Sequence, residues 1–161
     1  KVNLTGFEDI QMTDKLKKFC QDVGIQLLKN AIAHGIERPE QRILVGKSEV
    51  GQITLMLLKY GNQLRMSIID DGAGVDLQKL RQKAIEMNLM SAEQASSLPD
   101  SRLYAIMFRS GVSTANGVDE DSGRGVGMDI VREWVKEVNG KINVESQPGL
   151  NTKIVINFDA Q

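Results

Sequence analysis

The order of its amphipathic segments constrains the fold of this 161-residue chain more than any other feature. Two pairs of strand-like segments, at 53–69 and 141–158, alternate with segments whose apolar residues recur at helical spacing. Residues 2–5 form a further candidate strand at an edge. Because strand pairs and amphipathic helices each have one apolar face to bury, this order predicts an α/β two-layer sandwich, with helices over one face of a mixed β-sheet.

The predicted helices are bounded by recognisable capping residues. The first covers about 13–34, with Thr13 or Asp14 at its start and Gly35 at its end. Residues 37–51 are polar, contain a proline and are predicted to be a connector between the first helix and the first strand pair. Shorter helices are expected after Asp76, Ser91 and Pro99, and a last one ends at Gly140.

Composition excludes several classes of partner. The net charge is −1 and there are only four Phe, two Tyr and one Trp, so neither a basic nucleic-acid surface nor an aromatic stacking platform is expected. No apolar run reaches the ~18 residues of a membrane span. The single cysteine, Cys20, lies on the apolar face of the first helix and is predicted to be a buried thiol. The chain begins with Lys, which suggests one cytoplasmic domain of a longer protein.

A line of polar side chains follows the first helix. Gln26, Asn30 and His34 are four residues apart and therefore lie on one side of the helix, beside its apolar stripe. The amide oxygen of Asn30 would suit Mg²⁺, which prefers oxygen ligands. The alternative is that all three side chains simply face solvent.

The first strand pair ends in a candidate base-recognition turn. Asp70 closes the alternating strand, and a carboxylate fixed there could accept a hydrogen bond from the amino group of adenine. Gly72 and Gly74 would allow the backbone to approach closely. An ordinary Asp-Gly turn is the competing interpretation.

Alternating glycines precede the last helix, at Gly123, Gly125 and Gly127. Free N–H groups and the helix dipole favour a bound phosphate at such a helix start. The segment matches neither the P-loop nor the dinucleotide-binding fingerprint. A flexible linker remains the alternative. Residues 109–124, which contain few apolar side chains, are predicted to be a mobile lid over a nucleotide.

Four segments resemble the motifs of chemotaxis-type (CheA-class) histidine kinases. They are LKNAIAHGIE at 28–37, similar to the N box, DDGAGVD at 70–76 and SGRGVGMD at 122–129, similar to the two glycine boxes, and FRSGVST at 108–114, similar to the phenylalanine box. The resemblance runs over most of the chain. It implies the Bergerat ATP-binding fold that these kinases share with gyrase B, MutL and Hsp90, formed by residues 1–161 as a single catalytic domain.

The resemblance also implies a role for each matching position. Asn30 would be the catalytic residue that holds Mg²⁺ on the ATP phosphates, Asp70 would bind the adenine amino group, and Thr152 would support Asp70. The other implied ATP-binding positions, around the base, the ribose and the phosphates, are His34, Gly72, Gly74, Val75, Lys79, Gly123, Arg124, Gly125, Val126, Gly127 and Met128.

Kinases of this class transfer the γ-phosphoryl group of ATP to a histidine on a separate phosphotransfer domain, from which a response regulator receives it. Charge neutralisation by a metal and hydrogen-bond donors is the main catalytic requirement. The resemblance therefore implies ATP and Mg²⁺ as cofactors and a phosphotransfer domain as partner, in trans or elsewhere in the parent chain. No nucleic acid and no membrane insertion are expected, and the isolated domain is expected to be a monomer.

One departure from the family pattern bears on activity. Gln26 stands where the family usually has His or Glu, and a Gln side chain cannot act as a general base. This favours histidine phosphorylation over ATP hydrolysis, because a neutral imidazole is already a nucleophile. It also leaves open a degenerate module that binds nucleotide without kinase activity. Further departures occur at Ala33, Ser110 and Asn151.

Overall fold

The computed structural model describes residues 1–109, 112 and 127–160, and within them contains one five-stranded sheet. The strands are β1 (Val2–Thr5), β2 (Ile53–Tyr60), β3 (Gln63–Asp70), β4 (Lys141–Gln147) and β5 (Asn151–Asp159). Their spatial order is β1-β2-β3-β5-β4. β1 runs parallel to β2, and the other neighbours are antiparallel, so the sheet is mixed and β1 is an edge strand, as predicted.

Several helices begin at the capping residues that the sequence indicates. The helices are α1 (Asp14–Asn30), α2 (Pro39–Leu44), α3 (Leu77–Glu86), α4 (Ala92–Ser97), α5 (Asp100–Tyr104) and α6 (Met128–Glu137), with a π-helical turn at Ala31–Gly35 and a 3₁₀ turn at Ala105–Phe108. The side chain of Thr13 accepts a hydrogen bond from the N–H of Leu16, and Asp76 caps α3 in the same manner. Ser91 and Gln94 form the predicted capping box of α4.

The main core lies between one face of the sheet and the helices α1 and α6. Alternate residues of β2, β3 and β5 point into it, as the period of two requires. The ring of Phe19 from α1 meets that of Phe158 from β5 edge to face, with centroids 4.9 Å apart. A second, smaller core joins α3 to α5 and the 3₁₀ turn through Leu80, Ala84, Leu103 and Ile106. This arrangement confirms the predicted two-layer sandwich.

The prediction that residues 37–51 are only a connector is wrong, because this segment contains α2. Pro39 occupies the first helical position, where its missing N–H has no cost, so the proline starts the helix instead of preventing one. The helix is also held by Arg42, whose side chain is 1% exposed, a burial that hydrophobic periodicity cannot reveal.

Two further predictions concern single features of the chain. Cys20 is buried as predicted, and burial raises the pKa of its thiol to about 11. Of the predicted lid at 109–124, only Arg109 and Val112 belong to the described residues, so that prediction is untested. No helix in the described ranges has the length and apolar character needed to cross a membrane.

Candidate nucleotide-binding site

Asp70 is the last residue of β3, and its carboxylate is held in a defined position. Its residue is 6% exposed, and Oδ1 accepts a hydrogen bond of 3.0 Å from the N–H of Gly72. Within the described residues, no second donor to this carboxylate is found. Oδ2 could therefore accept a hydrogen bond from a ligand.

Burial raises the pKa of the Asp70 carboxyl group, and the neighbouring carboxylates of Asp71 and Glu37 add to that effect. The N–H of Gly72 and the ammonium of Lys47 act in the opposite direction, because both favour the ionised form. The site thus holds a partly desolvated carboxylate whose pKa is raised on balance, with two donors that favour its ionised form.

Thr152 lies beside Asp70 on the neighbouring strand. The register pairs Asp70 of β3 with Thr152 of β5, so the two side chains project from the same face of the sheet. Thr152 is buried, and its hydroxyl forms no hydrogen bond with the described residues. A carboxylate and a hydroxyl are therefore available side by side at this end of the sheet.

Gly72 allows the turn after β3 to press against the end of the π-helical turn. A Cβ atom on Gly72 would lie 2.1 Å from the carbonyl oxygen of Gly35 and 2.7 Å from Asp70 Oδ1. The same carbonyl accepts a hydrogen bond of 2.9 Å from the N–H of Ala73. Only glycine permits this contact, which joins the helical segment of His34 directly to the Asp70 turn.

The other side of the turn is held by the loop between β4 and β5. Gly74 has φ +73°, and a Cβ there would lie 2.6 Å from the carbonyl oxygen of Gln147. The N–H of Gly149 donates to the carbonyl of Ala73 at 2.7 Å, and that of Val75 donates to Ser146 Oγ at 2.8 Å. The first glycine segment is thus fixed between two parts of the protein that are far apart in the chain.

A charged cluster behind the turn was not predicted from the sequence. Arg42 forms ion pairs of 2.9 Å with Glu37 and 2.8 Å with Asp71. Lys47 forms an ion pair of 2.7 Å with the same Glu37, and its ammonium also donates to the carbonyl oxygens of Asp71 and Gly72. The sequence could have indicated this cluster only through the charged residues around Pro39. Charged residues in a connector usually face solvent, so they gave no reason to expect burial.

Asn30 is the last residue of α1 and is half-buried. The π-helical turn starts immediately after it, with Ile36 N–H donating to Ala31 O at 2.8 Å. Such turns inside helices often mark functional sites. Gly35 is five positions after Asn30, which corresponds to an axial distance of about 7.5 Å at the rise of an α-helix. Asn30 therefore belongs to the same end of the molecule as Asp70, and half-buried Gln26 precedes it by one turn.

Two predicted phosphate contacts are exposed side chains. His34 lies on the π-helical turn and is exposed. Lys79 lies on the first turn of α3, with its side chain 78% exposed and its ammonium 3.9 Å from the Asp76 carboxylate. Within the described residues, no hydrogen bond or ion pair joins either side chain to Asp70 or Thr152.

The second glycine segment is described only at its end. Gly127 precedes α6 and provides no side-chain cap, while Met128 is buried in the main core. Asp129 Oδ1 accepts a hydrogen bond of 3.1 Å from the N–H of Ile130. The predicted phosphate-binding residues Gly123, Arg124, Gly125 and Val126 lie outside the described residues.

A cavity of about 400 Å³ lies at the β1 edge of the sheet, between Val2, Ile32, Ile36 and Ile53, and it was not predicted from the sequence. Its lining includes Glu37 of the charged cluster but neither Asn30 nor Asp70. Within the described ranges no group of three or more His, Cys, Asp or Glu side chains could hold a metal ion.

Comparison with known proteins identifies a family over almost the whole chain. Residues 17–161 match the family of histidine kinase-, DNA gyrase B-, and HSP90-like ATPases. The chain is 38% identical over 125 residues to the chemotaxis protein CheA of Bacillus subtilis, covering 78% of this chain and 19% of that protein. It is 38% identical over 148 residues to the gliding motility regulatory protein of Myxococcus xanthus, covering 92% and 19%. The chain thus spans about a fifth of the length of the curated relatives it matches.

Solved structures of histidine kinases share the fold. The catalytic domain of histidine kinase ThkA superposes with a TM-score of 0.58 at 18% identity, covering 99% of this chain and 77% of that one. The histidine kinase domain of the blue-light activated histidine kinase EL346 from Erythrobacter litoralis gives 0.57 at 17% identity, covering 99% and 54%. At such identities the likeness concerns the fold alone.

Proposed function

Because the chain belongs to the family of histidine kinase-, DNA gyrase B-, and HSP90-like ATPases, we propose that it is the catalytic domain of a chemotaxis-type histidine kinase, which transfers the γ-phosphoryl group of ATP to a histidine on a separate phosphotransfer domain. The observation that carries this proposal is the Asp70 carboxylate, whose Oδ1 is held by the N–H of Gly72 and to which no second donor is found within the described residues. An acceptor fixed in this manner suits the amino group of adenine and not guanine, which has an acceptor at that position.

The base would lie against the first glycine segment. Asp70 would accept from the adenine amino group, with the hydroxyl of Thr152 beside it on β5. Gly72, Gly74 and Val75 would line the base and the ribose, because their backbone is already fixed by the contacts to Gly35, Gln147 and Ser146. Recognition of the base would therefore require little rearrangement of this turn.

The phosphates would be bound by groups from several elements. In this proposal the amide oxygen of Asn30 ligates Mg²⁺, which in nucleotide sites keeps waters and phosphate oxygens as its other ligands, so one protein ligand suffices. Bound Mg²⁺ would neutralise phosphate charge. The exposed side chains of His34 and Lys79 would contribute further donors. The remaining proposed phosphate contacts are Gly123, Arg124, Gly125, Val126, Gly127 and Met128.

A degenerate binding module is the alternative that one residue favours. Gln26, one turn before Asn30, cannot take a proton from an attacking nucleophile. A true ATPase, which must activate water, is therefore disfavoured more strongly than a histidine kinase. Such a module would bind nucleotide, or only a partner protein, and would transfer no phosphoryl group.

Calorimetric titration with ATP, with and without Mg²⁺, followed by a transfer assay separates these functions. The kinase proposal predicts Mg²⁺-dependent binding and labelling of a supplied phosphotransfer domain by γ-labelled ATP, both abolished by Asn30→Asp. The matched control is Asn143→Asp, on the exposed side of β4, which should change neither. Binding without labelling of the acceptor domain from the parent protein would favour the degenerate module, and steady phosphate release would favour an ATPase.

The phosphotransfer domain and the response regulator are proposals of the same kind, since they belong to the larger proteins that this chain resembles. Whether residues 1–161 act as a single domain, and whether 109–124 close over the nucleotide, remain predictions from the sequence.

A further inference from the structure

Lys47 holds the direction of two consecutive peptide bonds after Asp70. Its ammonium donates to the carbonyl oxygen of Asp71 at 2.8 Å and to that of Gly72 at 2.7 Å. At the first of these peptide bonds Lys47 is assisted by Arg42, whose Nη1 also donates to the carbonyl oxygen of Asp71, at 3.2 Å. A trans peptide bond is planar, with its C=O and N–H pointing in opposite directions. Holding the two carbonyls on one side of the turn therefore holds the following two N–H groups on the other side.

Those two N–H groups form the contacts that define the site. The N–H of Gly72, in the same peptide bond as the Asp71 carbonyl, donates to Asp70 Oδ1 at 3.0 Å. The N–H of Ala73, in the same peptide bond as the Gly72 carbonyl, donates to the carbonyl of Gly35 at 2.9 Å. Lys47 thus acts on Asp70 through the backbone, without touching the carboxylate.

The position of Lys47 is itself determined by the buried charged cluster. Glu37 accepts from Lys47 at 2.7 Å through Oε1 and from Arg42 at 2.9 Å through Oε2. Arg42 also donates to the carboxylate of Asp71 and to the carbonyl of Ser48. The ammonium cannot rotate away without breaking an ion pair that is largely shielded from water.

The charge of Lys47 also acts on the base-binding carboxylate. It lowers the pKa of Asp70, opposing the effect of burial, and so favours the ionised form that can only accept.

We propose that Lys47 is a positioning residue for adenine recognition, which orients the Gly72 N–H so that Asp70 presents its second oxygen to the amino group of the base. This inference rests on the proposed function, because it assumes that Asp70 binds adenine. It assigns to the segment between α2 and β2 a part in the selection of the nucleotide.

The test compares ATP with purine riboside triphosphate, which lacks the 6-amino group. The wild-type protein should bind ATP about 10- to 100-fold more tightly than the analogue, since a hydrogen bond to a charged group contributes about 1.5–3 kcal/mol. In Lys47→Met this preference should fall to about threefold or less, because a carboxylate without its fixed orientation loses most of that bond. The readout is the ratio of the two Kd values, measured by calorimetry.

Lys141→Met is the matched control, since Lys141 is exposed on β4 and has no ion pair within the described ranges; it should keep the wild-type ratio. A variant that weakens both nucleotides equally would mean that Lys47 only stabilises the fold, and would overturn the inference. If the wild-type protein itself shows no preference for ATP, the proposed adenine recognition fails instead.

A second variant covers the case in which Lys47→Met does not fold. Glu37→Gln removes the negative charge that anchors Lys47 and Arg42. It keeps one oxygen, which can accept from one of these two groups, and places an NH₂ donor where the other oxygen was. A smaller fall of the same ratio is expected, and an unchanged ratio in this variant would contradict the proposal.

Discussion

The two ends of the candidate site differ in how much of their geometry the protein fixes by itself. At the base end, the turn after Asp70 is held by Lys47, by the carbonyl of Gly35 and by the loop between β4 and β5. At the phosphate end, His34 and Lys79 are exposed side chains on the surfaces of their helical turns. Among the described residues, the polar groups held by hydrogen bonds thus lie mainly where the base would bind.

This difference indicates how the binding free energy would be distributed. Groups that are already oriented lose little entropy when a ligand arrives, whereas ordering a long exposed side chain costs about 0.5–1.5 kcal/mol. Removal of one base-end group should therefore weaken ATP binding more than removal of one exposed phosphate-end group. Four experiments test this contrast.

The largest effect is expected from Asp70→Asn. The amide could present a donor towards the adenine amino group, which is also a donor. ATP affinity should fall by about 100-fold or more, because a charge-assisted hydrogen bond is lost and a buried donor is left without a partner. Calorimetry at neutral pH measures this change. Asp9→Asn, on an exposed segment before α1, is the control and should bind as the wild type does. Equal affinities for Asp70→Asn and wild type would remove the distinction between the two ends.

Gly72→Ala tests whether close packing forms the base end. Its Cβ would lie 2.1 Å from the carbonyl oxygen of Gly35, so the turn must shift, and the free energy of unfolding should fall by about 2 kcal/mol, with weaker ATP binding. Gly61→Ala, in the turn between β2 and β3, separates this from backbone strain, because Gly61 has φ +59° but nothing within 4 Å of its Cβ position. The control should lose about 1 kcal/mol and keep its affinity. Denaturant unfolding measures the stability of both variants, and calorimetric titration with ATP measures their affinity.

Asp70→Asn should raise the free energy of unfolding at neutral pH, although it weakens ATP binding. The pKa of Asp70 is raised in the folded protein, mainly by burial, so ionisation at neutral pH costs folding free energy. At pH 7 the variant should unfold at a higher denaturant concentration than the wild type. As the pH falls through the raised pKa and below the ordinary aspartate value of 3.8, the advantage should disappear, because Asp70 of the wild type becomes protonated in both the folded and the unfolded state. A variant that is less stable at every pH would show that the carboxylate is a structural group.

The smallest effect is expected from Lys79→Met. The ammonium is exposed, and its one ion pair within the described residues is a long one with Asp76. ATP affinity should therefore change by no more than about threefold, the range of an exposed charge pair. Lys15→Met, on the exposed face of α1, serves as a comparison. A loss from Lys79→Met as large as that from Asp70→Asn would mean that binding is dominated by the phosphate end.

Most of the sandwich could be predicted from the sequence because its signals are local. Thr13, Asp76 and Ser91 cap their helices as expected, and the turn at Gly61 joins β2 to β3. The helix α2 was missed because its one buried side chain is an arginine, which counts against burial unless its partners are known. Those partners, Glu37 and Asp71, are brought to it only by the tertiary fold.

The site was predictable to the extent that its residues carry a local signature. Asp70 follows an alternating strand and precedes two glycines, so it could be named from the chain alone. The family resemblance drew attention to Thr152, and the strand register now places it beside Asp70. Lys47 could not be found, because a single lysine in a polar segment has no pattern, and its role depends on the direction of two peptide bonds.

The parallel edge strand has a consequence for the order of assembly. β2 and β3 meet through a tight turn, with Tyr60 opposite Gln63, whereas Val2 of β1 must find Ile53 across the whole of α1 and α2. Closing the longer loop costs more chain entropy, and a parallel neighbour cannot form as a hairpin. The four residues of β1 should therefore join after the helix is in place, and local opening of the sheet should begin with them.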